Sequence, residues 1–577
     1  MTDFMNFQFI GAAALFVIVL GQILRGKFKL LANVAGPDSA SWVTGNFKQV
    51  FNSDAWGFHE FLAKKYGSMV RLHGPFGTKS LYTFDAKAMH TVLVKDQDVF
   101  EESDGFIESN LLIFGDGLLG TLGHRHRKQR KMLNPIFSAA HMREMMPTFF
   151  QLESALKNRL NKGPSTQEVD ILSWMGRTAL EIMGQAGLGY SFDPLTDEES
   201  AHPYSKIIKQ LLPVLTRMQF WRLNILPYVS RIGTAGFRRF IIDILPWKDL
   251  HHLRDMIDYM HSIAEGIYQN KKRAFEMGDE AVAQQIGRGK DLISILMKEN
   301  VKASNEDRLQ DDEVIGQVIV TTLEWLWIDP DGDFFVSTLI FAAMDTTSSA
   351  MARLLHLLSR HPDVQDKLRR ELIQAKSQNS GQDLSYKELT DLPYLDAVCR
   401  ETLRLFAPAS NVVRFARKDA VIPLHKPIIG IDGSEMREVA VPRGTTIFVS
   451  IFNANRNPDF WGEDANEWKP ERWLSPLPES LVDARIPGVY SHLMTFIGGG
   501  RSCIGFKFSQ LEMKVVISTL VENFNFSPSE NDSKIFWQMN GVAAPIIGKD
   551  DHPQLPINIS LIETANINQS SVQQHTI

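Results

Sequence analysis

The stretch Phe-Ile-Gly-Gly-Gly-Arg-Ser-Cys-Ile-Gly, residues 496–505, holds one of only two cysteines in a chain of 577 residues. Most free cysteines are small buried apolar side chains, and the surroundings of Cys503 speak against that role. Glycines on both sides strip side chains from the backbone, as close approach of the chain to something flat and bulky requires. Arg501 sets a fixed positive charge two residues away, which favours a thiolate over a thiol. A thiolate, a guanidinium and a bare loop suit ligation of a haem iron, with a carboxylate-bearing macrocycle over the loop.

Other stretches place polar groups where the apolar pattern has no use for them. Phe-Ala-Ala-Met-Asp-Thr-Thr-Ser-Ser-Ala (341–350) sits in an apolar helical run yet carries Asp345 and Thr346. A buried acid–alcohol pair is costly unless it is paired or functional. Glu401 and Arg404, three residues apart, share one helix face. Arg472 follows in Lys-Pro-Glu-Arg-Trp, ahead of the cysteine loop. The basic run at 123–135 invites a nucleic-acid reading, but helical spacing counters it. His126 and Arg130 share a face, while Arg127, Lys128 and Lys131 lie on others.

The elements that must hold these residues are mainly helical. From about 86 to 410 apolar residues recur at three- and four-residue spacing, as in 170–189 and 351–375. Residues 385–406 predict a helix starting near Leu395, because Pro393 suits a helix beginning. A helix is expected around 54–66, a hairpin over 69–85, and short strands near 410–415 and 445–450. No linker or repeat interrupts 37–550, which predicts one large domain. The tail 551–577, rich in Asn, Gln, Ser and Thr, reads as loose. Two cysteines exclude a disulfide framework and any multi-cysteine zinc or iron–sulfur site, and reduced thiols fit the cytosolic side of a cell. Cys399 reads as core packing. A net charge of −6 gives no hint of nucleic-acid binding.

In this order and spacing the motifs resemble the cytochrome P-450 superfamily of haem-thiolate monooxygenases, microsomal branch. The family pattern Phe-x-x-Gly-x-Arg-x-Cys-x-Gly falls on Phe496, Gly499, Arg501, Cys503 and Gly505. The resemblance implies a mainly α fold with a minor β-sheet region, as a single P-450-like domain over 31–550. It implies haem b (iron protoporphyrin IX) as cofactor and Cys503 as the axial thiolate, pushing electron density to favour O–O cleavage. Phe496 then packs on the sulfur and tunes it, Gly505 opens the following helix, and Arg501 pairs with a haem propionate. The resemblance gives Arg414, in Asn-Val-Val-Arg-Phe, and Arg130 the same propionate role. Where the family usually has Trp-x-x-x-Arg, this chain has His126 in the tryptophan position, and imidazole also donates an N–H. Asp345 and Thr346 match the acid–alcohol pair that serves oxygen activation, with Ala343 where a glycine is usual. Glu401, Arg404 and Arg472 match a buried ion network that serves folding and haem loading.

The implied reaction inserts one atom of O2 into an apolar organic substrate, a secondary metabolite or xenobiotic. Electrons are expected from NADPH through a separate NADPH-cytochrome reductase, because the chain has no nicotinamide or flavin fingerprint. The outward cations of 123–135 suit an acidic redox partner and equally a solvated face. Two rivals stand beside this reading: a reductase-independent isomerase or dehydratase, against which Asp345 and Thr346 argue, and a non-catalytic haem-binding membrane protein. Residues 1–30 read as a membrane anchor, with about 5–24 apolar and Arg25, Lys27 and Lys29 following. The positive-inside rule then predicts a single-pass endoplasmic-reticulum protein with its catalytic domain on the cytoplasmic side. A cleaved signal peptide would need basic residues before the apolar run, and none is there. One departure remains. Residues 318–336 interrupt the helix that carries Asp345, and Pro330 and Gly332 cost a helix interior about 3 and about 1 kcal/mol. Either the helix breaks between 328 and 333 and restarts near Phe334, or the segment is a translated intron.

Overall fold

The computed structural model describes residues 28–115, 117–195, 202–287, 289–302, 337–549 and 552–562. The expected anchor over 5–24 and the expected break between 328 and 333 both lie outside these residues. Among the described residues no helix is long and apolar enough to cross a membrane. Contacts group the chain into two units. One comprises 1–103, 410–466 and 478–502, and the other 104–409, 467–477 and 503–577. No linker betrays this division, because each unit is assembled from three separate stretches.

The first unit is built on a five-stranded sheet of order β1-β2-β8-β5-β3. Its strands are β1 (Met69–His73), β2 (Lys79–Thr83), β3 (Phe100–Glu101), β5 (Asn411–Ala416) and β8 (Thr446–Ser450). The hairpin expected over 69–85 forms, with Met69 opposite Thr83 and His73 opposite Lys79. β8 runs parallel to β2 and antiparallel to β5. Tyr82 is buried here, and its hydroxyl donates to Ser450 Oγ (2.7 Å) and accepts from Asn453 Nδ2 (2.8 Å). β6 (Ala420–Ile429) and β7 (Glu435–Val441) form a separate hairpin that periodicity did not announce.

The second unit is mainly helical. Its helix Ser337–Arg360 packs on Ile171–Ile182, Pro203–Arg217 and Phe506–Asn523, burying Ile340, Met344, Met351, Leu355 and Leu358. The run 351–375 is not one helix. It stops at His361, and Pro362 opens Pro362–Gln378, because proline lacks the N–H that a continuing helix needs but fits a first turn. Residues 385–406 also divide: Ser385 and Glu388 form a capping box on Tyr386–Thr390, and Pro393 begins Pro393–Leu405. The tail after 550 is not wholly loose. β12 (Pro556–Leu561) pairs on one side with β4 (Thr166–Asp170) and on the other with β9 (Phe524–Pro528). Its buried Ile557 and Ile559 alternate with polar residues, a period-2 pattern short enough to be lost in a polar composition. β10 (Ile535–Asn540) and β11 (Val542–Ile547) form a further hairpin.

Candidate functional site

In the second unit Cys503 lies just before helix Phe506–Asn523, whose N-cap is Gly505. That helix forms because Phe508, Leu511, Val515, Val516 and Leu520 bury along it. The Phe508 ring meets Phe149 edge-on at 5.4 Å. Cys503 is exposed, yet the protein atoms that crowd it raise its thiol pKa, while the Gly505 N–H and Arg130 pull it down. Arg130 feels the reciprocal effect: burial lowers its pKa and the Cys503 sulfur raises it. Helix Gly123–Leu133 aims it there by burying His126, Gln129 and Leu133 on one side and exposing Arg125, Arg127 and Lys131. A helix N-terminus and a guanidinium each favour the thiolate, while burial opposes them.

Arg501 is held by an ion pair. In the first unit it pairs with Glu102 (Nε–Oε2 3.3 Å), and Arg414 pairs with the other oxygen of the same carboxylate (Nη2–Oε1 3.3 Å). The cation that acts on Cys503 is Arg130. The glycines also have another reason than a flat ligand. A Cβ on Gly499 would lie 1.9 Å from the Leu93 carbonyl oxygen, and one on Gly498 2.0 Å from that of Pro487. Gly499 has φ +78° as well, so the chain's own backbone forbids a side chain there. The Phe496 ring packs against Tyr490 at 5.9 Å.

On helix Ser337–Arg360 the Thr346 hydroxyl donates to the Ala342 carbonyl at 2.7 Å. Burial raises the Asp345 pKa to about 6, against the pull of Lys209. Lys209 was not anticipated. It sits in Lys206-Ile207-Ile208-Lys209-Gln210 of Pro203–Arg217, where polar neighbours on both sides give no signal that this lysine turns inward. Its Nζ donates to the Leu172 carbonyl (2.6 Å) and passes over Gly176, where a Cβ would stand 2.6 Å from it. Burial lowers its pKa, and Asp170 and Asp345 raise it.

Glu401 is wholly buried and heavily satisfied. Arg404 binds both its oxygens through Nε and Nη2, each at 2.8 Å. Arg472 Nε reaches Oε1 at 3.3 Å, the Lys469 backbone N–H reaches Oε1 at 3.0 Å, and Trp473 Nε1 reaches Oε2 at 3.0 Å. The structure thus brings Glu401, Arg404 and Arg472 together and adds Trp473, the next residue in the same motif. Cys399 is buried, which pushes its thiol up to about 12.

A model of the cytochrome P450 family matches residues 35–324 and 333–547. The chain belongs to that family. It is 47% identical over 537 residues to cytochrome P450 monooxygenase 91 of Postia placenta, covering 92% of this chain and 94% of that one. It is 41% identical to a ganoderic acid synthetase of Ganoderma lucidum (96% and 97% covered). It is 33% identical to the cytochrome P450 monooxygenase eriI of Hericium erinaceus (96% and 99%). The enzyme is therefore a P450-type monooxygenase. The family match leaves out 325–332, within the segment where the sequence departs from the pattern.

The family implies a haem, and in the second unit Cys503 and Arg130 carry donor chemistry that fits one. Cys503 offers the sulfur, with the Gly505 N–H and Arg130 favouring its anionic form. Within the first unit, Arg414 and Arg501 converge on the Glu102 carboxylate.

Proposed function

We propose that this P450 inserts one oxygen atom from O2 into an apolar small molecule of the secondary-metabolite or xenobiotic kind. We assign it haem b, electrons from NADPH through a separate reductase, and a place at the endoplasmic-reticulum membrane with its catalytic domain cytoplasmic. One observation carries the reading. A thiol whose pKa is raised by burial, against the pull of the Gly505 N–H and Arg130, shares a unit with an acid of pKa about 6 next to a hydroxyl.

Cys503 would hold the haem, which would supply the oxygen and electron chemistry when bound. The chain's own residues manage the protons. The Thr346 hydroxyl donates a hydrogen bond to the Ala342 carbonyl, which leaves its oxygen lone pairs to accept one from water. Asp345 titrates close enough to neutrality both to take and to release a proton. Lys209 keeps it from rising further and staying protonated. Phe341, on the Asp345 helix, packs tilted against Phe114 at 4.8 Å and adds apolar character that suits an apolar substrate. The exposed Arg125, Arg127 and Lys131 suit an acidic redox partner. The names of the fungal relatives, one a ganoderic acid synthetase, support a biosynthetic substrate.

The test is turnover of a compound library under 18O2 by the full chain in nanodiscs with a fungal P450 reductase. A product with one 18O atom that requires NADPH is expected. Cys503→Ser should lose both that product and the thiolate-type CO band. Turnover of a peroxide substrate without NADPH would overturn the monooxygenase reading in favour of isomerase chemistry. A thiolate CO band with no turnover at all would favour haem binding alone. A fluorescent fusion found away from the endoplasmic reticulum would refute the localisation.

A further inference from the structure

On the helix that follows Cys503, an acid is buried with nothing to pair with it. Phe506–Asn523 packs on Ala139–Asn161, where the Phe508 ring meets Phe149. One turn further along each helix stand Glu512 and Glu153, at 0% and 2% exposure. The Thr519 hydroxyl donates to Glu153 Oε2. Among the described residues, Glu153 Oε1 and both Glu512 oxygens have no hydrogen-bond partner.

Nor does any cation among the described residues answer these carboxyls. The cations on the elements packed against the two helices are engaged elsewhere. Arg177 pairs with Asp193, Arg404 with Glu401, and Lys387 with Asp391. His356 and Arg360 pair with Asp532, and Arg369 with Asp366. Lys514, on the Glu512 helix itself, pairs with Asp396, and Lys376 with Glu522. Arg143 and Arg159 lie over the Tyr386 and Trp174 rings, and Arg353 over Trp537. The charge that acts on Glu153 is that of Asp383, also negative, and Glu512 feels that of Glu153. Burial raises both carboxyl pKa values well above the usual range, and Thr519 alone opposes it at Glu153. A buried anion without a partner is unfavourable enough that the group takes up a proton instead, and two acting on each other resist ionising together. Protonation supplies the donor that the surroundings withhold.

We propose that Glu153 and Glu512 form a proton-held clasp between the two helices. Protonated, they fasten Phe506–Asn523, and with it Cys503, to Ala139–Asn161. Stripped of protons at alkaline pH, they repel each other, loosen the helix and release haem. Folding favours the protonated forms, so their contribution is whole below the ordinary glutamate pKa of 4.5 and is lost as pH rises through the raised values. The protons leave to solvent in two steps that belong to the pair and not to either residue. The clasp takes no part in the reaction assigned above.

Isotope-edited infrared spectra of full-length holoenzyme in nanodiscs, carrying 13C-glutamate, read the protons directly. At pH 7 the wild type should show protonated-carboxyl intensity that a Glu153→Gln/Glu512→Gln double variant lacks. Glu181, also raised by burial, is common to both. That intensity should bleach only at alkaline pH. Haem transfer to apomyoglobin reads the loosening. It should run at least tenfold faster at pH 9.5 than at pH 7 in the wild type, and less than threefold faster in Glu512→Gln. Two single changes should move the wild-type transition in opposite directions. Thr519→Val removes the group that favours the charged Glu153 and should carry the transition to higher pH. Asp383→Asn, at the surface, removes a negative charge and should carry it to lower pH. Identical infrared intensity in wild type and double variant, equal alkaline acceleration in Glu512→Gln, or shifts of like sign would overturn the proposal. So would a Glu512→Gln protein that fails to fold at pH 7, because an amide replaces a protonated acid but not a charge. None of these readouts needs turnover, so the proposal can fail while the monooxygenase reading stands.

Discussion

Asp345→Asn should make this enzyme more stable at neutral pH while impairing it. Burial moves the Asp345 carboxyl from 3.8 to about 6, a shift of roughly two units, or about 3 kcal/mol at about 1.4 kcal/mol per unit. The folded-state pKa is raised, so folding favours the protonated form. That contribution is complete below pH 3.8 and is lost as pH rises through 6. Asparagine escapes the loss. Against the gain stands Lys209, whose charge Asp345 helps to hold, although Asp170 and the Leu172 carbonyl remain with it. The net expectation is a gain of about 1–2 kcal/mol at pH 7.5, falling to zero or below near pH 4. Urea unfolding followed by tryptophan fluorescence at pH 4.5, 5.5, 6.5 and 7.5 reads the difference between variant and wild type. It should climb between pH 4.5 and 6.5 and then level off. A difference that stays flat across this range, or a variant less stable than wild type at pH 7.5, refutes the reasoning. The same variant should yield at least tenfold less product per NADPH consumed, because a positioned acid–base group is gone.

Lys209→Met leaves burial of Asp345 unopposed, so its pKa should rise above 6 and carry the acid limb of the pH–rate profile upward by about one unit. Gly176→Ala, whose Cβ would crowd Lys209 Nζ at 2.6 Å, should move the limb the same way. Glu401→Gln strips the compensating charge from Arg404 and Arg472 and should cost about 3–5 kcal/mol, read as a loss of folded, haem-loaded protein. Gly499→Ala meets the Leu93 carbonyl at 1.9 Å with φ +78° and should weaken or abolish the thiolate CO band. Gly505→Ala, with φ −87° and its nearest neighbour, Phe137, 4.0 Å away, should change stability by no more than about 0.5 kcal/mol. Equal effects at the two glycines would contradict the steric account.

Local spacing by itself determined a good deal of this protein. Residues three apart on a helix must share a face, so the Glu401–Arg404 pair was legible, as were His126 and Arg130 on one side of a basic helix. The β1–β2 hairpin was legible from alternation and a glycine–proline turn. The motif around Cys503, read with the others in their order, was enough to indicate the family. The helical spacing over 351–375 was legible too, and the missing N–H of Pro362 divides it between two helices.

What only the tertiary structure decided concerns long side chains and strands that meet from distant parts of the sequence. Arg501 is two residues from Cys503, yet it turns to Glu102, and Arg130, far off in the chain, becomes the cation that acts on the sulfur. Proximity in sequence fixes the distance between Cα atoms but not the direction of a flexible side chain, which follows the nearest uncompensated charge. Gly499 is small because another segment's carbonyl lies against it, a contact no local pattern encodes. Lys209 reaches Asp345 only because their two helices pack together beside Gly176. β12 escapes notice in a polar tail until β4 and β9 supply the hydrogen bonds that make it a strand. Short-range geometry dictates which groups are available; packing dictates which of them meet and how strongly burial shifts their charge.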